Sequence, residues 1–180
     1  MIKKILLVIF CLLCFGLHGF SQIELLKLSL LDNKVSVLAP KGFTQMTEEM
    51  LALKYPATAN KPQWVLTDED GTVNLTYSFT SSAIDDNGIP AFTDKMLAVL
   101  KTNRKDIEFI DDGILLQEGK NIGYIKFISQ ARDQKVFNYM FYISLDNRLL
   151  LFSFNCIEKL RKKWEVKADE MAASLRLLNL

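Results

Sequence analysis

Apolar and polar residues alternate through much of this chain with the two-residue period that is typical of β-strands. The clearest run covers residues 72–80, where every second side chain is apolar and the residues between them are Asn, Thr or Ser. Such alternation predicts a half-buried antiparallel strand. Related patterns predict further strands at residues 26–31, 35–38, 63–67, 114–118, 122–131, 136–145 and 148–155.

Short polar stretches separate these strands and have the composition of turns. Asp32-Asn33-Lys34 lies between the first two strands, and Asp146-Asn147 lies between the last two. Because Asn and Asp tolerate left-handed backbone, both stretches predict tight hairpins. Turns are also predicted at residues 68–71 and 119–121, and a longer polar loop at residues 81–88.

Two internal segments carry helix signals instead. Thr47, followed by Glu48 and Glu49, predicts the N-terminus of a short helix, because a Thr cap and early acids suit that end. Pro56 ends this helix, since the residue before a proline avoids the helical region. A second helix is predicted at about residues 90–103, with one apolar face made of Phe92, Met96, Val99 and Leu100.

A third helix is predicted near the C-terminus. It begins near Ile157, with Asn155 and Glu158 spaced as a capping box. Apolar residues then recur at helical intervals and predict a buried stripe of Leu160, Trp164, Ala168, Met171 and Leu175.

The two strands at residues 136–145 and 148–155 are apolar on both faces. Phe137, Tyr139 and Phe141 point to one side of the first strand, and Met140 and Tyr142 point to the other. Both faces of such a sheet must therefore be covered. We predict an α+β fold, a mostly antiparallel sheet with helices on both faces. A lipocalin-like barrel is the alternative, and it leaves two of the three helices without a natural place.

The first 21 residues have the layout of a cleaved export signal. Lys3 and Lys4 precede an apolar run at residues 5–17, and Gly19 and Ser21 place small residues before a cut at Gln22. The run is too short to span a bilayer, which needs about 20 apolar residues. We therefore predict a signal peptide at residues 1–21, one globular domain at residues 22–180, and a periplasmic or secreted protein.

Removal of the signal changes the chemistry that remains available. The only histidine, His18, and two of the three cysteines, Cys11 and Cys14, lie within it. A chain of residues 22–180 therefore has no His-dependent triad, no His-based metal site and no internal disulfide. The formal charge of +1 also argues against a nucleic-acid partner. No catalytic, cofactor-binding or metal-ligating residue is predicted.

Three features of the sequence are candidate sites, and each also has a purely structural interpretation. Cys156 follows a predicted strand, where a helix N-terminus could activate a thiol, but a small buried side chain is the more common role of a free cysteine. The acidic runs at residues 68–71, 85–88 and 111–113 lack the spacing of a calcium loop and are interpreted as turns. A basic group on the last helix is interpreted as a solvated face rather than a membrane or partner contact: Lys159, Arg161, Lys162, Lys163 and Lys167.

The order of elements resembles the PsbP-like family. The first hairpin runs into Pro40-Lys41-Gly42-Phe43, which is similar to the family's P-x-G-F/W entry. The final hairpin passes through Phe152-Ser153-Phe154 into a helix ending near Ser174-Leu175, and the resemblance covers most of residues 24–178. It implies an α/β/α sandwich. Members include a photosystem II extrinsic protein, a Ran-binding import factor and bacterial periplasmic proteins, so it implies binding more often than catalysis and transfers no functional residue.

These observations predict an exported, non-catalytic interaction module of the bacterial cell envelope whose partner is an envelope or extracellular protein. The alternative is a periplasmic carrier of a lipid or another apolar small ligand. That alternative is motivated by six aromatic residues of the sheet: Phe137, Tyr139, Phe141, Tyr142, Phe152 and Phe154. A close-packed core explains the same residues.

Overall fold

The computed structural model describes residues 23–56, 61–131 and 133–178, which form ten strands and three α-helices. The strands are β1 (Leu25–Leu30), β2 (Val35–Pro40), β3 (Thr44–Gln45), β4 (Trp64–Thr67), β5 (Val73–Ala83), β6 (Glu108–Gln117), β7 (Lys120–Gln130), β8 (Lys135–Leu145), β9 (Arg148–Ile157) and β10 (Arg176–Leu177). The α-helices are α1 (Glu48–Lys54), α2 (Ile89–Asn103) and α3 (Arg161–Ser174). The predicted signal at residues 1–21 lies outside the described residues. Among the described helices, none is long and apolar enough to cross a membrane.

Seven strands form one antiparallel sheet in the order β3-β4-β5-β9-β8-β7-β6, and β1, β2 and β10 form a second, smaller sheet. Within the described part of the chain, β3 and β6 are the two edges of the large sheet and do not pair with each other. The strands therefore form an open sheet, which confirms the α+β prediction. The lipocalin-like alternative is wrong, because closing a barrel would require those two edges to meet.

One side of the large sheet, which we call the core face, packs against α3 and the small sheet. Its largest side chains have at most 1% of their surface exposed: Phe137, Tyr139, Phe141, Phe152 and Phe154. The predicted stripe on α3 supplies the opposite side through Trp164, Ala168, Met171 and Leu175, all buried. Together, α3 and the small sheet exclude water from the apolar side chains of the core face.

The opposite side, which we call the cleft face, carries α1 and α2. Leu51 of α1 packs near Val65 of β4, and Ile89 at the start of α2 packs against Tyr142 of β8. Helices thus lie on both faces, as the two-sided apolar pattern predicted. The predicted apolar face of α2 is wrong in one respect, because Val99 is 44% exposed while Thr93 is buried. The hydroxyl of Tyr142 donates to Thr93 Oγ1 at 2.9 Å. This hydrogen bond stabilises a polar residue on the side of α2 that faces the sheet.

The hairpin turns follow their composition. Leu31, Asp32 and Asn33 all have positive φ, as do Asp146 and Asn147 in the β8–β9 turn. The turn predicted at residues 119–121 instead lies at residues 118–119, where both φ angles are positive. Glycine tolerates such backbone without strain, so Gly119 fixes the second position of the turn.

Two predicted boundaries are wrong for a tertiary reason. The polar segment at residues 81–88 is part strand and part 3₁₀ helix, because β5 pairs with β9 again at Ala83 after an irregular stretch. Asn155 is not a helix cap, since β9 extends to Ile157 and a 3₁₀ turn at Glu158–Leu160 leads into α3. Strand pairing, which the local sequence does not show, extends both strands beyond their predicted ends.

Candidate binding cleft

The cleft face holds two chambers, one beside α1 and one beside α2. The floor of these chambers is built from three neighbouring strands, β5, β9 and β8. Alternate residues of the same strands point to the core face and belong to the core. The floor side chains at successive register positions are polar and uncharged, or moderately apolar: Asn74, Thr76, Ser78, Leu151, Ser153, Asn155, Asn138 and Met140. The same strands therefore bury aromatic residues on one side and present hydrogen-bonding groups on the other.

Three asparagines form a row across the floor. Asn138, Asn155 and Asn74 are direct register partners on β8, β9 and β5. Asn74 Nδ2 donates to Asn155 Oδ1 at 3.0 Å, and Asn138 Nδ2 donates to Ser129 Oγ at 3.0 Å. These bonds fix the orientations of the amides, which leaves their remaining polar atoms in set directions.

Asn74 is the residue of this row with an unused acceptor. The residue is 5% exposed, and within the described part of the chain its Oδ1 atom accepts no hydrogen bond. A buried carbonyl oxygen without a donor costs about 1–3 kcal/mol. Asn74 lines a chamber of about 250 Å³ together with Lys54, Asp70, Asn155 and residues at the ends of β8 and β9.

A second, larger chamber lies two register rows further along the same floor. Its volume is about 620 Å³, within the range of typical ligand pockets. Met140 and Leu151 form its apolar base, and Met96 of α2 forms one wall. The opposite side is lined by the end of β5 and by Lys61 and Gln63. The smaller chamber has a polar lining and the larger one an amphipathic lining, and we call the two together the cleft.

Burial shifts the pKa of two groups near the smaller, polar chamber, Lys54 and Tyr55. Burial lowers the pKa of Lys54, and attraction to Asp68 opposes that change; its Nζ donates to the carbonyl of Gly71. Burial raises the pKa of Tyr55, and a side-chain hydrogen bond with Asn155 opposes the rise. Tyr55 is therefore a neutral phenol at physiological pH.

Comparison with known proteins identifies the fold. No protein-family model matches the sequence, and no curated protein matches it either. The solution structure of cyanobacterial PsbP from Synechocystis sp. PCC 6803 superposes with a TM-score of 0.58 at 14% identity, covering 91% of this chain and 98% of that one. The chain has a PsbP-like fold.

Two further structures agree with this PsbP-like fold. LpqN, a Mycobacterium tuberculosis protein involved in cell envelope biogenesis, matches with a TM-score of 0.54 at 8% identity over 88% of this chain and 93% of that one. A Pseudomonas aeruginosa protein of unknown function matches with a TM-score of 0.50 at 7% identity over 87% and 99%. The predicted resemblance is confirmed for the fold, and at such identities a shared fold does not define a shared activity.

Cys156 of this PsbP-like domain lies inside β9 rather than at a helix start. Its side chain is on the core face and has no exposed surface. Burial raises the pKa of the thiol to about 12, with a smaller contribution from Glu165. The thiol is therefore protonated at physiological pH, as expected for a small buried side chain.

The acidic runs use their carboxylates within the fold. Asp68 accepts bonds from the main-chain N–H of Thr72 at 2.7 Å and of Val73 at 3.0 Å, which closes the β4–β5 turn. Asp85 accepts from the N–H of Gly88 at 2.8 Å. The turn interpretation of residues 111–113 is wrong, because these residues lie within β6 beside a bulge and Asp111 accepts from a tyrosine hydroxyl.

The basic residues of α3 are divided between packing and solvent. The Arg161 guanidinium donates to Glu165 at 2.9 Å and lies 5.4 Å from the ring centroid of Phe137. Lys167 Nζ is 2.8 Å from Glu170. Lys159, Lys162 and Lys163 are exposed. Two of the five charges therefore already have acidic partners on the same helix, and the other three face solvent.

Sequence reasoning missed a charged cluster on the core face. Lys126 of β7 is only 8% exposed, and its Nζ is 2.6 Å from Asp169 of α3 and 3.9 Å from Asp111 of β6. The ammonium also lies 4.9 Å from the ring centroid of Tyr139. A lysine in register with the apolar residues of β7 was the available signal. This cluster ties α3 to the sheet.

Removing one partner of this cluster should cost more than removing its centre. We expect Asp169→Ala to lower the free energy of unfolding by about 1–3 kcal/mol, because a largely buried ammonium loses its nearest counter-charge. Lys126→Met should cost less than about 1 kcal/mol, since its two carboxylates are half-exposed and regain water. Urea unfolding of both variants measures the difference. An equal or larger loss for Lys126→Met would contradict this account.

Proposed function

We propose that this protein is an exported, non-catalytic interaction module of the bacterial cell envelope and that its cleft recognises a protein partner. The observation that carries the proposal is the cleft floor, where strands with a fully buried aromatic side present uncharged hydrogen-bonding groups on the other side. Amide and hydroxyl groups of this kind pair with peptide main chains as well as with side chains.

Binding rather than turnover is supported by the ionisable groups at the cleft. Lys54 donates to a main-chain carbonyl, and the thiol of Cys156 points to the core. Lys61 lines the larger chamber, beside hydroxyl and amide groups. Lys54 and Cys156 are thus engaged within the protein itself. Export is supported by the signal-like layout of residues 1–21.

A carrier of an apolar small ligand is the second candidate function. The aromatic residues that first motivated it are fully buried and packed on one another, as in the stacked pair Phe141 and Phe152 with centroids 5.3 Å apart. A different observation keeps the candidate open, namely the apolar base of the 620 Å³ chamber at Met140 and Leu151. The chamber also has a hydroxyl-lined side, which suits a partner with polar groups better than a hydrocarbon chain.

Native mass spectrometry after mild cross-linking in the producing cell separates these functions. We expect an added mass of protein size, which is lost in Ser82→Arg because an arginine there fills the larger chamber. Ser29→Arg on β1 is the matched control, since Ser29 is exposed on the other sheet. An added mass of only hundreds of daltons would favour the carrier, and a bare monomer would contradict both functions.

A further inference from the structure

The last part of β5 extends beyond its neighbour β4. The pairing of β4 with β5 runs from Thr67 opposite Asn74 to Trp64 opposite Tyr77, so residues 78–83 have no partner in β4. On the other side, β9 pairs with Phe79 and then again only with Ala83. Thr80, Ser81 and Ser82 therefore pair with no strand in the described part of the chain. We call residues 78–83 the overhang.

A side chain occupies the first pairing position of the overhang. The Gln63 amide accepts a hydrogen bond from the N–H of Phe79 at 2.8 Å, and its Nε2 lies 3.4 Å from the Phe79 carbonyl. This is the pair of contacts that a neighbouring strand would make with Phe79. Pro62 precedes Gln63 in the chain and has no main-chain N–H. The segment before β4 therefore cannot continue as a strand along β5. The Gln63 amide thus stands in for main chain.

The larger chamber lies directly beside the overhang. Ser78, Thr80 and Ser82 line it from β5, and Met140 and Leu151 form the base. An extended chain laid along the overhang would direct alternate side chains to this face of the sheet. Residues 78–83 lie along only four positions of β9, from Leu151 to Arg148, because the strand is irregular between Phe79 and Ala83, so the overhang matches a segment of about four residues.

Charge near the overhang is positive. Among the described residues that line the larger chamber, Lys61 is the charged one. The Arg148 guanidinium lies 4.1 Å from the ring centroid of Phe79, and its Nε donates to the Thr80 carbonyl at 2.9 Å. An acidic side chain on an incoming segment would therefore meet favourable charge.

We propose that the overhang accepts an extended segment of a partner protein as an added β-strand. The segment displaces the Gln63 amide from Phe79, places an apolar side chain over Met140 and Leu151, and carries an acidic residue near Lys61. This inference rests on the proposed interaction function and specifies its binding mode. Main-chain bonds supply affinity in strand addition, and the chamber supplies selectivity through alternate side chains.

In-cell photo-cross-linking locates the contact. A photoreactive amino acid at Ser81 should yield a cross-link to one protein, and the mapped site should lie in a short extended segment of it. The same amino acid at Leu53 on α1, which is 82% exposed, is the matched control. If Leu53 or Leu116 gives the cross-link and Ser81 does not, the interaction function stands and strand addition is wrong. If no position gives one, both are wrong.

The cross-linked segment, synthesised as a peptide, then tests the binding mode. Gln63→Ala should raise the affinity of this peptide about two- to tenfold, because Phe79 loses its internal partner before binding. Gln45→Ala, at another exposed glutamine, should leave the affinity unchanged. A loss of affinity in Gln63→Ala would overturn the displacement step.

Methylation of the peptide main chain gives a test that leaves the protein untouched. In an added strand, N–H groups of alternate residues face the neighbouring strand. N-methylation at those positions should reduce affinity at least about tenfold, while methylation at the positions between them should have little effect. Equal effects at every position would overturn strand addition. For the preceding experiment, circular dichroism of Gln63→Ala checks that the variant is folded.

Discussion

Phe152→Ala is expected to lower the free energy of unfolding by about 3–5 kcal/mol, the range for large aromatic truncations in packed cores. Phe152 has no exposed surface and stacks on Phe141 at a centroid distance of 5.3 Å and an interplanar angle of 6°. It also contacts Tyr77 at a centroid distance of 6.0 Å. Truncation removes these contacts and leaves a cavity in the centre of the core face. Urea unfolding followed by fluorescence measures the loss.

Phe109→Ala is the matched control for this prediction. Phe109 lies on the edge strand β6, is only half-buried, and meets Phe127 at a centroid distance of 6.3 Å. Its truncation should cost less than half as much. If Phe152→Ala instead kept the stability and released a bound apolar molecule, the aromatic layer would be a ligand pocket and the carrier function would replace the interaction module.

Gly123→Ala is expected to lower the free energy of unfolding by about 1–3 kcal/mol through overpacking. Gly123 lies on β7 directly opposite Tyr142 of β8, beneath the first turns of α2. An added Cβ would lie 2.6 Å from Thr93 Oγ1 and still closer to the ring of Tyr142. Neither group can move alone, because the Tyr142 hydroxyl donates to Thr93. Helix α2 would therefore have to lift from the sheet.

Gly113→Ala tests whether the effect comes from this close approach. A Cβ at Gly113 would lie 3.2 Å from the ring of Tyr124, which is partly exposed and has room to shift. The expected loss is below about 1 kcal/mol, measured by the same urea unfolding. If the two variants lost similar amounts of unfolding free energy, the loss would be a general effect of replacing a strand glycine. The contact with α2 would then have no special role.

Both predictions concern the different roles of the two faces of the large sheet. The core face is closed by α3 and the small sheet, and its aromatic layer accounts for the stability. The cleft face is covered by α1 and α2 at its sides, so its middle can hold polar groups on a rigid floor. Binding groups on central strands are held more firmly than groups on loops. This is the physical basis for the proposed interaction site on this PsbP-like fold.

Local sequence signals predicted the elements whose cause is local. Thr47 Oγ1 accepts from the N–H of Met50, as a helix N-cap does. Asp146 and Asn147 form the two-residue turn that their tolerance of positive φ predicts. The stripe on α3 and the two-sided apolar pattern of β8 and β9 follow from periodicity. In each case the deciding residues are adjacent in the chain, so the pattern is visible without coordinates.

The cleft was invisible in the sequence because its parts come from distant segments. Asn74 and Asn155 are neighbours across a strand pair although 81 positions separate them. Met96 and Met140 meet at the larger chamber only because α2 is placed over the sheet. Single asparagines and methionines carry no motif, so nothing in the sequence marked them as one site.

The sequence by itself determined the fold class, the three helices, most strands and the loss of histidine from residues 22–180, because periodicity, turn chemistry and composition act locally. Only the tertiary structure decided that Asn155 belongs to a strand, that Cys156 faces the core, and that β5 extends beyond β4. Strand pairing sets these outcomes, and it depends on which distant segments lie side by side. The candidate interaction surface depends on the same pairing, since it begins where β4 ends.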